Sequence, residues 1–400
     1  MPGCRWAGCQ VRRVAWVASS RSSSSRRLGS RTRSVRNSVS LASSAVRTTT
    51  PRRDRPSITS SYTTLIASVR EAGLLRHRPG FYWAVFGGLV LALGGAIAGF
   101  VLLQESWFQL LIAAALGIIF TQFAFLAHEA SHRQIFADGR RNDRAGRVLG
   151  TAFVGMSYQW WMTKHTKHHA NPNRVGKDPD IEVDTVSFLE SDAARQHGLM
   201  ALVTRKQAWL FFPLLLLEGL NLHYLSVRSL LRRGPVDGRV LELSTILLRL
   251  GLYVGVIFWV LPVGMAFAFL GVQLAVFGFY MGASFAPNHV GMAIIPADSR
   301  IDFLRKQVLT SRNISGGLPM TALMGGLNYQ VEHHLFPSMS RPALARARHM
   351  VIAHCSANGI PYTETNLVVA YRQVLGYLNR VGLAARDPFD CPLVNAYRRR

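Results

Sequence analysis

What most constrains this chain is a set of apolar blocks, each near the length of a membrane crossing and joined in pairs by very short turns. About 20 consecutive apolar residues cross the hydrocarbon core as one helix. Residues 81–103 and 107–127 form two such blocks, separated only by Gln104, Glu105 and Ser106. Residues 246–261 and 263–285 form another two, with Pro262 between them. Blocks this close in sequence must run antiparallel. The expected fold is therefore an all-α integral membrane protein with four transmembrane helices in two hairpins.

A fifth apolar stretch, 208–225, carries Glu218, Asn221 and His223. It is expected to lie in the membrane interface as an amphipathic helix. Were it a span, the chemistry-bearing segments before and after it would end on opposite sides. The basic residues agree with this layout. The two hairpin turns contain no Lys or Arg, and the basic loops all fall on the other, cytosolic side. There the polar segments should form a helical cap.

The net charge of +25 is concentrated at the ends and in those loops. No acidic residue precedes Asp54, and residues 1–53 hold twelve arginines and no lysine. Basic loops beside apolar spans read as a membrane protein's cytoplasmic face, not as a nucleic-acid surface. Residues 1–57 lack the apolar core of a secretory signal and fit a disordered basic arm or a targeting segment. Residues 58–370 are expected to form the functional domain, and 371–400 a cytosolic tail. The cysteines at 4, 9, 355 and 391 have neither metal-finger spacing nor a disulfide framework, and read as isolated thiols in a reducing compartment.

Seven of the thirteen histidines fall in three short clusters. His128 and His132 follow the second span directly and share one helix face. With Glu129 beside His128 they match the spacing of a zinc-protease helix. The other clusters argue against that reading, because a catalytic zinc needs only three protein ligands. His165, His168 and His169 form the second cluster; neighbouring residues there point about 100° apart. The third is His333 and His334, with Gln330 where a first histidine would be expected and Glu332 alongside. Imidazole suits iron, copper and zinc alike. Seven imidazoles exceed what one ion binds, so two metals follow. Gln330 is a weak ligand or holds a ligating water, and Glu332 either orients an imidazole or is exposed.

The strings His165-Thr-Lys-His-His-Ala-Asn-Pro-Asn173 and Gly326-Leu-Asn-Tyr-Gln-Val-Glu-His-His-Leu-Phe-Pro337 resemble the membrane fatty acid desaturase family. Gln330 resembles its front-end branch and bacterial relatives. The resemblance implies two iron ions, O₂ as co-substrate, and a fatty acyl-CoA or acyl-lipid substrate that gains a cis double bond. It also implies an eighth ligand, His289, with Asn288 bonded to a metal-bound water. No His-Pro-Gly-Gly haem motif of a fused cytochrome b5 occurs; His77-Arg78-Pro79-Gly80 is not one. Electrons are expected from a separate ferredoxin, or from cytochrome b5 with its reductase, docking on the basic face. The acyl chain is expected in an apolar tunnel with Trp160, Trp161, Phe279 and Tyr280 as candidate walls, its carrier at the basic surface. Two rivals stand: a lipid hydroxylase or ketolase of the same superfamily, and a membrane metal-binding or transport protein. Transport sites usually sit at mid-membrane, whereas these clusters flank the spans.

Overall fold

The computed structural model describes residues 58–385, and these are mostly helical. The basic arm 1–57 and the end of the tail, 386–400, lie outside the described residues. In chain order the helices are α1 (Ile58–Glu71), α2 (Pro79–Leu103), α3 (Gln109–Ser131), α4 (Gly139–Val148) and α5 (Tyr158–Ala170). The next five are α6 (Glu190–Ala193), α7 (Gly198–Arg205), α8 (Gln207–Leu231), α9 (Arg239–Val260) and α10 (Val263–His289). The last are α11 (Phe303–Leu309), α12 (Gly317–Leu323), α13 (Gln330–Leu335), α14 (Arg341–Ala357) and α15 (Leu367–Gly382). A π-helical turn, Leu149–Val154, follows α4. Strand β1 (Asn313–Ile314) pairs in parallel with β2 (Glu364–Thr365).

Among the described residues, five helices are long and apolar enough to cross a membrane: α2, α3, α8, α9 and α10. Four coincide with the expected blocks, and the fifth, α8, contains the stretch expected to lie in the interface. The first hairpin turn is built by its own side chains. Gln104 adopts φ 44°, and buried Gln109 donates from Nε2 to the carbonyls of Phe100, at 2.7 Å, and Gln104, at 2.9 Å. Those bonds satisfy backbone acceptors that the end of α2 would otherwise leave unpaired.

Small residues bring the helices together. A Cβ on Gly117 of α3 would lie 2.9 Å from the Gln273 carbonyl oxygen of α10. A Cβ on Gly219 of α8 or Gly278 of α10 would collide with the other helix's backbone. Such close backbone approach is how helices pack where lipid removes the hydrophobic drive between them. The core around these contacts includes Phe120, Phe123, Phe269 and Phe277. A second core, built on Val69, Val308, Val331, Ala347 and Val351, joins α1, α11, α13 and α14 beside the third histidine cluster.

α3 and α10 both run past their apolar blocks, and the added turns carry His128 and His289. The domain boundary expected at 370 falls inside α15. Its Val374 and Leu378 are fully buried with Phe211 of α8, so residues 371–382 belong to the packed body. Ala370, Val374, Leu378 and Val381 form the buried face of α15, and no motif marks it in the sequence.

Candidate metal centre

α5 carries three of the histidines, and its start is fixed from two sides. Ser157 caps it by accepting from Trp160 N at 3.1 Å, and its Oγ donates to the buried Glu242 carboxylate of α9 at 2.5 Å. Ser157 N in turn donates to Ser226 Oγ of α8 at 2.5 Å. At the other end, Lys306 Nζ donates to the Ala170 carbonyl at 2.6 Å, and Gln307 Nε2 to the His169 carbonyl at 2.9 Å. The end of α3 is set by a buried ion pair: Arg341 of α14 donates to Glu129 at 2.7 and 2.6 Å. Glu129 is therefore engaged away from the imidazoles, unlike the glutamate of a zinc-protease helix.

These anchors bring all eight predicted histidines together in two groups. In the first, one nitrogen from each of His128, His132, His165, His169 and His333 lies within 4.8 Å of the others. His165 Nε2 is 3.0 Å from His128 Nε2 and 2.8 Å from His132 Nε2; His169 Nε2 is 3.1 Å from His333 Nε2. The second group holds His168, His289 and His334. His289 Nε2 lies 3.3 Å from His168 Nε2 and 3.1 Å from His334 Nε2.

Gln330 joins the second group, its Nε2 2.9 Å from His289 Nε2. Asn288 holds that amide by donating to Gln330 Oε1 at 3.2 Å. The Asn288 Oδ1 is buried with no partner among the described residues. Glu332 is placed otherwise than as an imidazole acceptor. It is fully buried and accepts from Asn313 Nδ2 at 2.7 Å and Tyr362 OH at 2.9 Å. Burial pushes its carboxyl up to about 7.

The outer imidazole nitrogens of the second group have acceptors that sequence reasoning missed. His168 Nδ1 faces Asp178 at 3.1 Å and Asp180 at 3.2 Å. His334 Nδ1 faces Gln307 Oε1 at 3.1 Å, and His289 Nδ1 the Thr310 carbonyl at 2.8 Å. The one available signal was the acid pair Asp178-Pro179-Asp180 shortly after the second cluster. Gln307 and Thr310 sit in a stretch with no pattern to mark them. Arg312 was also missed. It is buried and donates to the Pro287 carbonyl at 2.8 Å and the Val290 carbonyl at 3.2 Å, which fixes the turn carrying His289.

The electrostatics favour neutral, coordinating imidazole. Burial, reinforced by neighbouring imidazoles, holds His132 down at about 3 and His165, His169, His333 and His334 well below the ordinary range. His168 is raised instead: burial pushes it down, but Asp180 and Asp178 outweigh that. With the Nδ1 protons of His289 and His334 committed outward, both Nε2 lone pairs point at one centre 3.1 Å apart. Two such lone pairs fit a shared cation, and His289 Nε2 also lies 2.9 Å from the Gln330 amide nitrogen. The donor set thus suits metal ions, one per group.

The remaining five histidines lie outside both groups. His77 bonds the Arg133 carbonyl, His223 the carbonyls of Gly219 and Val154, and His354 Ser61 Oγ, while His197 and His349 are exposed.

A cavity of about 540 Å³ opens beside the second group, within the usual range for small-molecule sites. His165, His168, His289 and Gln330 line it, with apolar side chains of α8 and α10. Trp161 is in this wall as expected, but Trp160, Phe279 and Tyr280 are not. Phe279 packs on Phe212, and Tyr280 bonds Gln122 at 2.7 Å and the Leu323 carbonyl at 2.5 Å. The charged lining also differs from the expected basic surface. It comprises Asp180, Glu182, Asp184 and Glu218 against the single cation Lys164, which pairs with Asp180 at 3.0 Å.

The fold and site define a class: a multi-pass helical membrane protein with a buried polyhistidine centre beside a deep cavity. A fatty acid desaturase family model matches residues 105–366. An acyl-lipid (9-3)-desaturase of Physcomitrium patens is 31% identical over 288 residues, 69% of this chain and 54% of that protein. A Delta(5) fatty acid desaturase of Caenorhabditis elegans is 27% identical over 325 residues, 76% of this chain and 70% of its own. Delta(8)-fatty-acid desaturase 2 of Arabidopsis thaliana is 25% identical over 361 residues, 84% and 78%. The chain belongs to the fatty acid desaturase family. It spans about half the length of the moss relative. Members of this family generally use a di-iron centre, and the two histidine groups are compatible with one.

Proposed function

We propose that this chain is an O₂-dependent desaturase that places a cis double bond in a fatty acyl chain. The observation that carries the reading is the convergence of eight imidazoles into two adjacent groups beside a cavity whose wall includes apolar side chains of α8 and α10. His128, His132, His165, His169 and His333 would hold one iron. His168, His289 and His334 would hold the other, with the Gln330 amide beside His289 and Asn288 holding that amide. Iron, when bound, supplies with O₂ the oxidant that no amino-acid side chain can provide. In sum, two neighbouring methylenes lose two hydrogens, and O₂ with two electrons and two protons leaves as two waters. The electrons come from a separate donor of the ferredoxin or cytochrome b5 kind.

The chain's own residues hold and orient. Asp178, Gln307 and the Thr310 carbonyl fix the imidazole rings by bonding their outer nitrogens. The cavity wall aligns the alkyl chain and keeps water from it.

The four-span topology, with a cytosolic cap, is part of this reading. Both ends of α8 bond segments on the histidine side. Gln207 donates to the Ser187 and Leu378 carbonyls, and Ser226 accepts from Ser157. A crossing helix would put about 30 Å of hydrocarbon between those partners, so an interfacial α8 is favoured.

Heterologous expression with fatty-acid profiling tests the activity. The expected product has lost two hydrogens; one that has gained oxygen would point to the hydroxylase or ketolase instead.

A further inference from the structure

The nineteen residues between Arg312 and Glu332 include no Asp, Glu, Lys or Arg, in a chain whose net charge is +25. They hold α12, and no residue of that helix is buried. Leu318 is 84% and Leu323 47% exposed, and Pro319 and Ala322 are open as well. The opposite face is apolar too: Met320 packs on the cluster of Phe125, Ile314, Met324 and Leu327. A helix that is apolar all round belongs inside protein or inside lipid. Protein covers only one side of α12.

The contacts of α12 place it beside two spans. Gln122 of α3 donates to the Ala322 carbonyl at 3.0 Å, and Tyr280 of α10 to the Leu323 carbonyl at 2.5 Å. Gln122 Nε2 also donates to Tyr280 OH at 2.7 Å. Gly325, at φ 58°, turns the chain against Phe125 of α3, whose ring a Cβ there would overlap. Gln122 lies nine residues before Ser131, the end of α3, and Tyr280 nine before His289, the end of α10. At 1.5 Å per residue both are about 14 Å in from the histidine side. Ile118, one turn deeper than Gln122 on the same face of α3, is exposed, so α12 adjoins a lipid-facing surface.

A helix end in hydrocarbon must have its orphan carbonyls satisfied without water. Gln122 and Tyr280 do this for Ala322 and Leu323. Thr321, the one polar side chain of α12, bonds the Gly317 carbonyl at 2.9 Å, and Pro319 removes a donor from the first turn.

We infer that α12 is a re-entrant lipid contact. It dips from the histidine side into the bilayer, meets the acyl region of the surrounding lipid through Leu318, Pro319 and Leu323, and is held there by Gln122 and Tyr280. The segment leading to His333 and His334 is thereby anchored to the membrane. This anchoring depends on α3 and α10 crossing the bilayer, and not on iron or on activity.

The test uses the full-length chain in lipid vesicles, with Leu318→Cys carrying a nitrobenzoxadiazole fluorophore. Cys4, Cys9 and Cys391 are replaced by serine, and Cys355 is buried. Labels at Leu91→Cys, exposed midway along α2, and Lys177→Cys, in an exposed turn, mark lipid and water. Lipids brominated along their acyl chains should quench the Leu318 label as strongly as the Leu91 label, and aqueous iodide should quench it several-fold less than the Lys177 label. Iodide quenching equal to that at Lys177 would overturn the inference in favour of an aqueous surface. Protection from both quenchers would overturn it in favour of a protein cover, such as a second copy of this chain. Leu323→Cys repeats the measurement if the first variant fails to assemble. Combining Gln122→Leu with Tyr280→Phe should move the label toward water, and unchanged quenching there would overturn the anchoring by those two side chains.

Discussion

The two histidine groups sit side by side but are built differently. The five-membered group draws on helical spacing, with His128 in the last turn of α3 and His132 capping that helix, and His165 and His169 one turn apart on α5. The outer Nδ1 atoms of His128 and His169 are buried without a partner among the described residues. In the three-membered group each imidazole comes from a different helix, and each outer nitrogen faces a carboxylate, an amide oxygen or a backbone carbonyl. Secondary structure places the ligands of one group, and long-range hydrogen bonds place those of the other. The second group should therefore be the more sensitive to changes outside its ligands.

The largest effects should come from the ligands themselves. His165→Ala in one group and His334→Ala in the other should each reduce desaturation to background and lower bound iron, while membrane insertion persists. Substantial residual activity in either would remove that residue from the ligand set. Next is Arg341→Met, which strands the buried Glu129 carboxylate beside His128. Breaking such a pair costs about 3–5 kcal/mol, visible as lost thermal stability in detergent. Adding Glu129→Gln should restore much of it, and no restoration would place Arg341's importance elsewhere.

Smaller effects separate the groups directly. Asp178→Asn removes the negative charge behind His168, and Gln307→Leu removes the acceptor of His334; each should weaken the metal of the three-membered group about 10–100-fold. Iron release to a chelator should become biphasic, with one ion leaving early; simultaneous loss of both would show that the groups do not hold metal separately. The smallest change is Gln330→His. It should alter activity or double-bond position with iron content unchanged, and wild-type behaviour would mark Gln330 as a bystander.

These differences also explain what could be read from the chain. Apolar blocks and short turns made the helices α2, α3, α9 and α10 legible. Close spacing made the seven clustered histidines legible, and resemblance to the family added His289. Gln307, Thr310, Arg312 and Arg341 were not legible, because each acts on a partner that only folding brings near. Gln307, for instance, bonds a ring 27 residues away. The expected tunnel wall failed because other partners hold the two α10 aromatics: Phe279 packs on Phe212, and Tyr280 bonds Gln122 and the Leu323 carbonyl. The basic surface expected at the cavity failed because net charge says nothing of where acids gather. Asp180, Glu182 and Asp184 alternate along one loop that folds over the site.

Metal stoichiometry of the purified, detergent-solubilised chain tests the central claim most directly. Two iron ions per chain are predicted, falling in the His165→Ala and His334→Ala variants. A single zinc per chain, with no iron-dependent oxygen consumption, would contradict it.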